Sequence, residues 1–221
     1  MHLAQYAFVA LLIGVLVTAV VSFVVMGLAK FRRARHLARA AHERGMRFFR
    51  DDPFDVPRRY AGFAVISSGH SARANNVTDG RLGSRPVRAF DFRYELGHGT
   101  RRITRHYSVI TAETGRPCDS LLMWHEGDAD LAPLAARDSE GRVALWGYRG
   151  ARDLAADVAA ACSEFEECAA SVEIRGSVVV VAAPARRSTG RYAVSFGQVS
   201  AILGALQDQD RQQAVANCRH P

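Results

Sequence analysis

VRAFDFRYELGHGTRRITRHYSVITA, residues 87–112, is the stretch that decides the fold. Phe90, Phe92 and Tyr94 alternate with Asp91, Arg93 and Glu95, the period of a strand with one apolar and one wet face. Gly97-His98-Gly99-Thr100 supplies a turn. Residues 103–112 return with Ile103, Tyr107 and Val109 opposite Thr104, His106 and Ile110. The two runs predict an antiparallel hairpin.

Working outward, residues 121–125 and 143–148 read as further strands. Residues 151–165 read as a helix: Leu154, Val158, Ala161 and Phe165 share a face, and Asp153 and Asp157 put negative charge in its first turns. Residues 171–175 and 177–183 suggest a second hairpin around Gly176. A last helix is expected over 196–207, capped by Ser195 with Gln198 completing a capping box; Phe196, Val199, Leu203 and Leu206 form its apolar stripe. Strands followed by a helix, a strand pair and a helix predict α+β rather than a doubly wound fold.

The N-terminus has a different character. Residues 7–29, AFVALLIGVLVTAVVSFVVMGLA, contain no charge and read as a transmembrane helix, with Tyr6 at its boundary. A cleaved signal peptide would have a basic start and a shorter apolar core. The basic cluster comes after the core instead, which by the positive-inside rule puts the short N-terminus outside and the remainder in the cytoplasm. Ala10, Gly14, Thr18 and Ser22 recur every fourth residue, a small-residue stripe that offers a homo-oligomer contact between spans.

Charge is unevenly distributed. Residues 30–60 hold ten basic and four acidic side chains, so +6 of the formal +7 sits beside the expected span. Lys30, Arg32, Arg33, Arg35 and Arg39 are therefore read as contacts to anionic lipid head groups, on a helical stem continuing to Arg44. Phe31, Ala34, Ala38 and Ala41, with Leu37 close by, form the stem's small apolar face. The nearly neutral remainder gives no reason to expect a nucleic-acid partner. The expected layout is a short N-terminus and span over 1–29, a stem and proline-containing linker over 30–59, a cytoplasmic α+β domain over 60–209, and a polar tail over 210–221. Within that domain the antiparallel sheet carries two or three helices.

The chemistry is less legible. Lys30 is the sole lysine, which excludes a Walker-type phosphate loop and Schiff-base catalysis. Cys118, Cys162, Cys168 and Cys218 form no CxxC pair, so neither a disulfide framework nor a zinc site is expected, and no metal or cofactor is implied. His98 and His106 could meet across the hairpin, joined by His70 or His125; Cys118 could act as a nucleophile with His106 or His125 as base. Exposed histidines and a structural thiol are the simpler reading of the same residues. Trp124 and Trp146 are read as core.

Residues 67–80, SSGHSARANNVTDG, read as a structural crossover. Gly69-His70-Ser71, Arg73-Ala74-Asn75-Asn76-Val77 and Gly80, followed by Phe90-Asp91-Phe92-Arg93-Tyr94, resemble bacterial single-pass inner-membrane proteins with no assigned activity. That resemblance covers roughly 60–183 and implies an anchored α+β domain without implying a mechanism. Two functions follow: a non-catalytic membrane-anchored module that binds a ligand or protein, or a membrane-tethered hydrolase with a histidine-centred site.

Overall fold

The structure, a computed structural model, describes residues 2–125, 140–163, 165, 171–184 and 196–208. Its order is α1 (His2–Glu43), β1 (Arg47–Asp51), α2 (Val56–Arg59), α3 (Ala64–Ser67), β2 (His70–Leu82), β3 (Arg85–Leu96), β4 (Ile103–His125), β5 (Gly141–Val143), β6 (Trp146–Gly150), α4 (Arg152–Ser163) and β7 (Ser171–Pro184). A further helix, α5, covers 196–208.

The expected hairpin is β3–β4, paired in register from Val87↔Ala112 to Leu96↔Ile103. Gly97 makes its turn at φ 72°, where an added Cβ would lie 2.7 Å from the Arg101 carbonyl. Among the described residues seven strands form one antiparallel sheet, β1-β2-β3-β4-β6-β5, with β7 on the other side of β4. The two segments expected at 103–112 and 121–125 are a single strand of 23 residues. Its first half pairs with β3 and its second with β6, while β7 pairs along both.

The sheet carries a core on each face: the Val87–Ala89 end of the face expected to be wet is covered, while Arg93 on the same face stays exposed as expected. Val87, Ala89, Ile110, Ala112, Val179 and Val181 pack with α4, α5 and the C-terminal end of α1. Phe90, Phe92, Tyr94, Tyr107, Val109 and Val180 pack on the opposite side with Val56, Tyr60, Phe63, Val65 and Ile66 of the α2–α3 segment. Trp124 and Trp146 are buried, as expected.

Other expectations are also corrected. The second hairpin is instead the single strand β7; Gly176, at φ 58°, marks an irregularity in its pairing with β4. Residues 67–80 are mostly strand β2, and β1 joins its edge, so part of the expected stem and linker belongs to the sheet. Despite Pro57, residues 56–59 form a helical turn, because proline is tolerated at a helix start. α4 occupies the place predicted for it. Ser195, the expected cap of α5, and residues 210–221 lie outside the described residues.

The largest correction is at the N-terminus. Among the described residues no helix is long and apolar enough to cross a membrane. This overturns the transmembrane helix expected over 7–29, with the inside–outside orientation and the homo-oligomer contact built on it. In the small-residue stripe, the Thr18 hydroxyl donates to the Gly14 carbonyl of its own helix at 2.8 Å, and the Ala10 side chain lies outside those described. α1 nevertheless leaves large apolar side chains exposed from Tyr6 to Phe31, among them Leu11, Leu16 and Phe23.

Candidate functional site

The doubled asparagine of β2 organises the junction between helix and sheet. β2 is irregular between Asn75 and Thr78, and Asn76 sits there in the left-handed region at φ 51°. Asparagine tolerates that conformation better than most residues. Asn76 Nδ2 donates to Asp91 Oδ2 at 2.8 Å. The same carboxylate receives both arms of Arg33, from Nε at 3.1 Å and from Nη2 at 2.7 Å, and Ser108 Oγ lies 3.5 Å from Nη2. Arg33, Leu37 and Ala41 recur every fourth residue, so one stripe of α1 meets the sheet: Leu37 and Ala41 are buried in the core, and Arg33 ends the stripe in a bidentate ion pair.

This corrects one predicted lipid contact, since Arg33 is committed to Asp91. Of the predicted apolar face, Ala41 and the neighbouring Leu37 are buried and Ala34 and Ala38 half-buried, while Phe31 is exposed. Arg32, Arg35 and Arg39 point away from the sheet into solvent, with the Arg35 guanidinium 5.9 Å from the Phe31 ring centre. The side chain of Lys30 lies outside those described. The site is thus a helix fixed to the sheet at one end, presenting three arginines and then a run of exposed apolar side chains.

The histidine-centred site does not assemble. His70 and His98 stack with ring centres 4.8 Å apart, and His70 Nε2 lies 2.8 Å from the Gly97 carbonyl oxygen. His106 lies elsewhere, opposite Arg93, and His125 packs edge-on against Trp146 at 5.5 Å. Cys118 is twelve residues further along β4 than His106, opposite Gly176, with Sγ 3.7 Å from the Arg116 carbonyl oxygen. Among the described residues no group of three or more His, Cys, Asp or Glu could hold a metal. A cleft lined by Arg59, Tyr60, Asp79, Arg88, Thr111 and Val178 is open to solvent and has a cavity volume of only about 30 Å³. That falls short of the roughly 300–1,000 Å³ of a small-molecule site.

Two polar anchors hold the far face. Arg88 meets Asp79 at 2.6 Å and lies over the Phe54 ring at 3.9 Å. Burial pushes the Asp79 carboxyl upward, but hydrogen bonds from Arg47 and Arg88, with their charges, outweigh it and bring its pKa below the ordinary value. Glu173 is buried on β7 and accepts from the Ala64 backbone N–H at 2.6 Å. Its burial raises the pKa, against the opposing effects of that hydrogen bond and of Arg175. Neither anchor was foreseen. Asp79 and Arg88 face each other across the β2–β3 pairing, whereas Ala64 and Glu173 lie 109 residues apart with no local spacing to join them.

No family model matches the chain. No curated protein matches it either. Among solved structures, the crystal structure of the mycobacterial trehalose monomycolate transport factor A, TtfA, is similar. The likeness has a TM-score of 0.59 at 16% sequence identity, over 79% of this chain and 94% of that one. At that identity what the two chains share is the fold.

Proposed function

We propose that this protein is a non-catalytic module that works at an anionic lipid surface, held there by α1, where it binds a lipid or a lipid-handling partner. The observation that carries the reading is the junction at Arg33. The helix is pinned to the sheet by a bidentate ion pair, and directly before and after that point it exposes an apolar run and the basic Arg32, Arg35 and Arg39. Exposed apolar surface next to a basic collar complements the two layers of a lipid surface, acyl chains and phosphates. The shared fold supports the reading, because TtfA is a transport factor for a lipid, trehalose monomycolate. The resemblance of residues 69–80 and 90–94 to bacterial inner-membrane proteins points to the same surroundings.

The test is flotation of the full chain with vesicles of phosphatidylcholine alone or mixed with phosphatidylglycerol. The chain is expected to float with both and to bind the anionic vesicles more tightly, by about fivefold for each arginine at the surface. Salt and the combined change of Arg32, Arg35 and Arg39 to Gln should reduce that preference. A full chain that stays with the soluble fraction in both cases refutes the proposal.

A further inference from the structure

Arg73, Arg93 and His106 form a row straight across the sheet. Arg73 on β2 is the partner of Arg93 on β3, and Arg93 is the partner of His106 on β4. Directly opposed residues share a face, and this row lies two residues beyond Asp91, so it is on the face that carries α1. All three side chains are exposed. Like charges placed opposite each other oppose sheet pairing. The neighbouring acids do not relieve the row: Asp91 is held by Arg33 and Asn76, while Glu95 lies 3.5 Å from Arg102 and 3.9 Å from His70. None of the ion pairs among the described residues includes a member of the row.

The position of the row matters as much as its charge. The C-terminal end of α1 packs against β1 and β2, Leu37 and Ala41 join the core that includes Val87 and Ala89, and Arg33 reaches across to Asp91 on β3. Two strand residues advance about 7 Å. The row therefore lies beyond the Arg33–Asp91 pair, toward the Leu96 end of β3.

We infer that Arg73, Arg93 and His106 seat the phosphate groups of an anionic lipid surface, the same surface that α1 addresses. The inference rests on the proposed function and adds a second, sheet-borne contact, which would set how the domain lies against the lipid. Two separated contacts, one on the helix and one on the sheet, hold a body at a defined angle where one alone leaves it free to swing.

The experiment is arginine modification by phenylglyoxal, read residue by residue by mass spectrometry, on the full chain bound to neutral or anionic vesicles. Arg73 and Arg93 should react about threefold or more slowly on phosphatidylglycerol-containing vesicles than on phosphatidylcholine, and high salt should restore their reactivity. Arg175, exposed on β7, should react equally on both. Equal rates at Arg73 and Arg93 on the two vesicle types overturn the inference, as does equal protection of Arg175. Protection by inorganic phosphate without vesicles, to the same extent, would make the row a small-anion site and overturn the lipid assignment. Protection of Arg32, Arg35 and Arg39 without protection of the row leaves the proposed function standing and removes this contact; protection of neither removes both.

Discussion

Replacing Asp91 with Ala removes the acceptor that fixes α1 to the sheet. Arg33 loses two charge-assisted hydrogen bonds, and Asn76 Nδ2 loses its partner. The pair is neither fully buried nor free: the side chains are 22% and 19% exposed. Breaking a fully buried pair costs about 3–5 kcal/mol and an exposed one less than about 1, so about 2 kcal/mol is expected here. For a chain of this size that lowers the melting temperature by about 4–8 °C. Trp124 and Trp146 are the only tryptophans and both are buried in the sheet domain, so their fluorescence reports its unfolding. The variants Asp91→Ala, Arg33→Ala and the double change form a thermodynamic cycle, with an expected coupling of about 1–2 kcal/mol. Amide exchange in residues 33–41 should rise in each variant while β3 and β4 keep their protection. A coupling below about 0.5 kcal/mol would show that the ion pair decorates the junction without securing it.

Leu37→Ala, at a buried position under the same helix, should cost about 2–4 kcal/mol by denaturant titration. Gly147→Ala should cost about 1–3 kcal/mol, since the added Cβ would lie 2.6 Å from the Trp124 ring, and Trp124 emission should shift with it. Glu173 has a raised folded-state pKa, so its contribution to stability is fully present below the unfolded value of 4.5 and is lost as pH rises through the folded value. Glu173→Gln keeps an acceptor for Ala64 and should therefore gain on the wild type as the pH of the melt is raised; a constant difference across the range would refute this. Asp79 is shifted the other way, so its contribution is present above 3.8 and lost as pH falls through its lowered folded value. Asp79→Asn should flatten the acid limb of the same titration.

The parts of the fold legible in sequence were those where period and turn chemistry coincide. Residues 87–112 carry a strict alternation around Gly97, and the structure pairs them as the expected hairpin. Residues 152–163 carry a helical stripe and fold accordingly. A glycine is ambiguous in sequence: Gly176 suggests a turn and has a left-handed backbone, yet stays inside β7 because β4 continues alongside it. The same holds at Ser71 and Asn76, whose positive φ angles are absorbed within a strand as irregularities in place of a crossover. The apolar run of α1 was legible as composition, but among the described residues it does not amount to a spanning helix. The candidate site was half legible. The basic stem announced itself by charge, whereas the commitment of Arg33 to Asp91, 58 residues away, follows from how the helix crosses the sheet and leaves no local trace.

The account depends most on contact between α1 and lipid, and a single reporter tests it. Phe31 is 51% exposed and lies between the apolar run and the basic stem. In a Phe31→Trp variant of the full chain, added to anionic vesicles whose acyl chains carry bromine, emission from the new tryptophan should be strongly quenched. The buried Trp124 and Trp146 should be unaffected, and the wild-type chain supplies their background. An unquenched reporter that remains open to aqueous acrylamide would contradict the account.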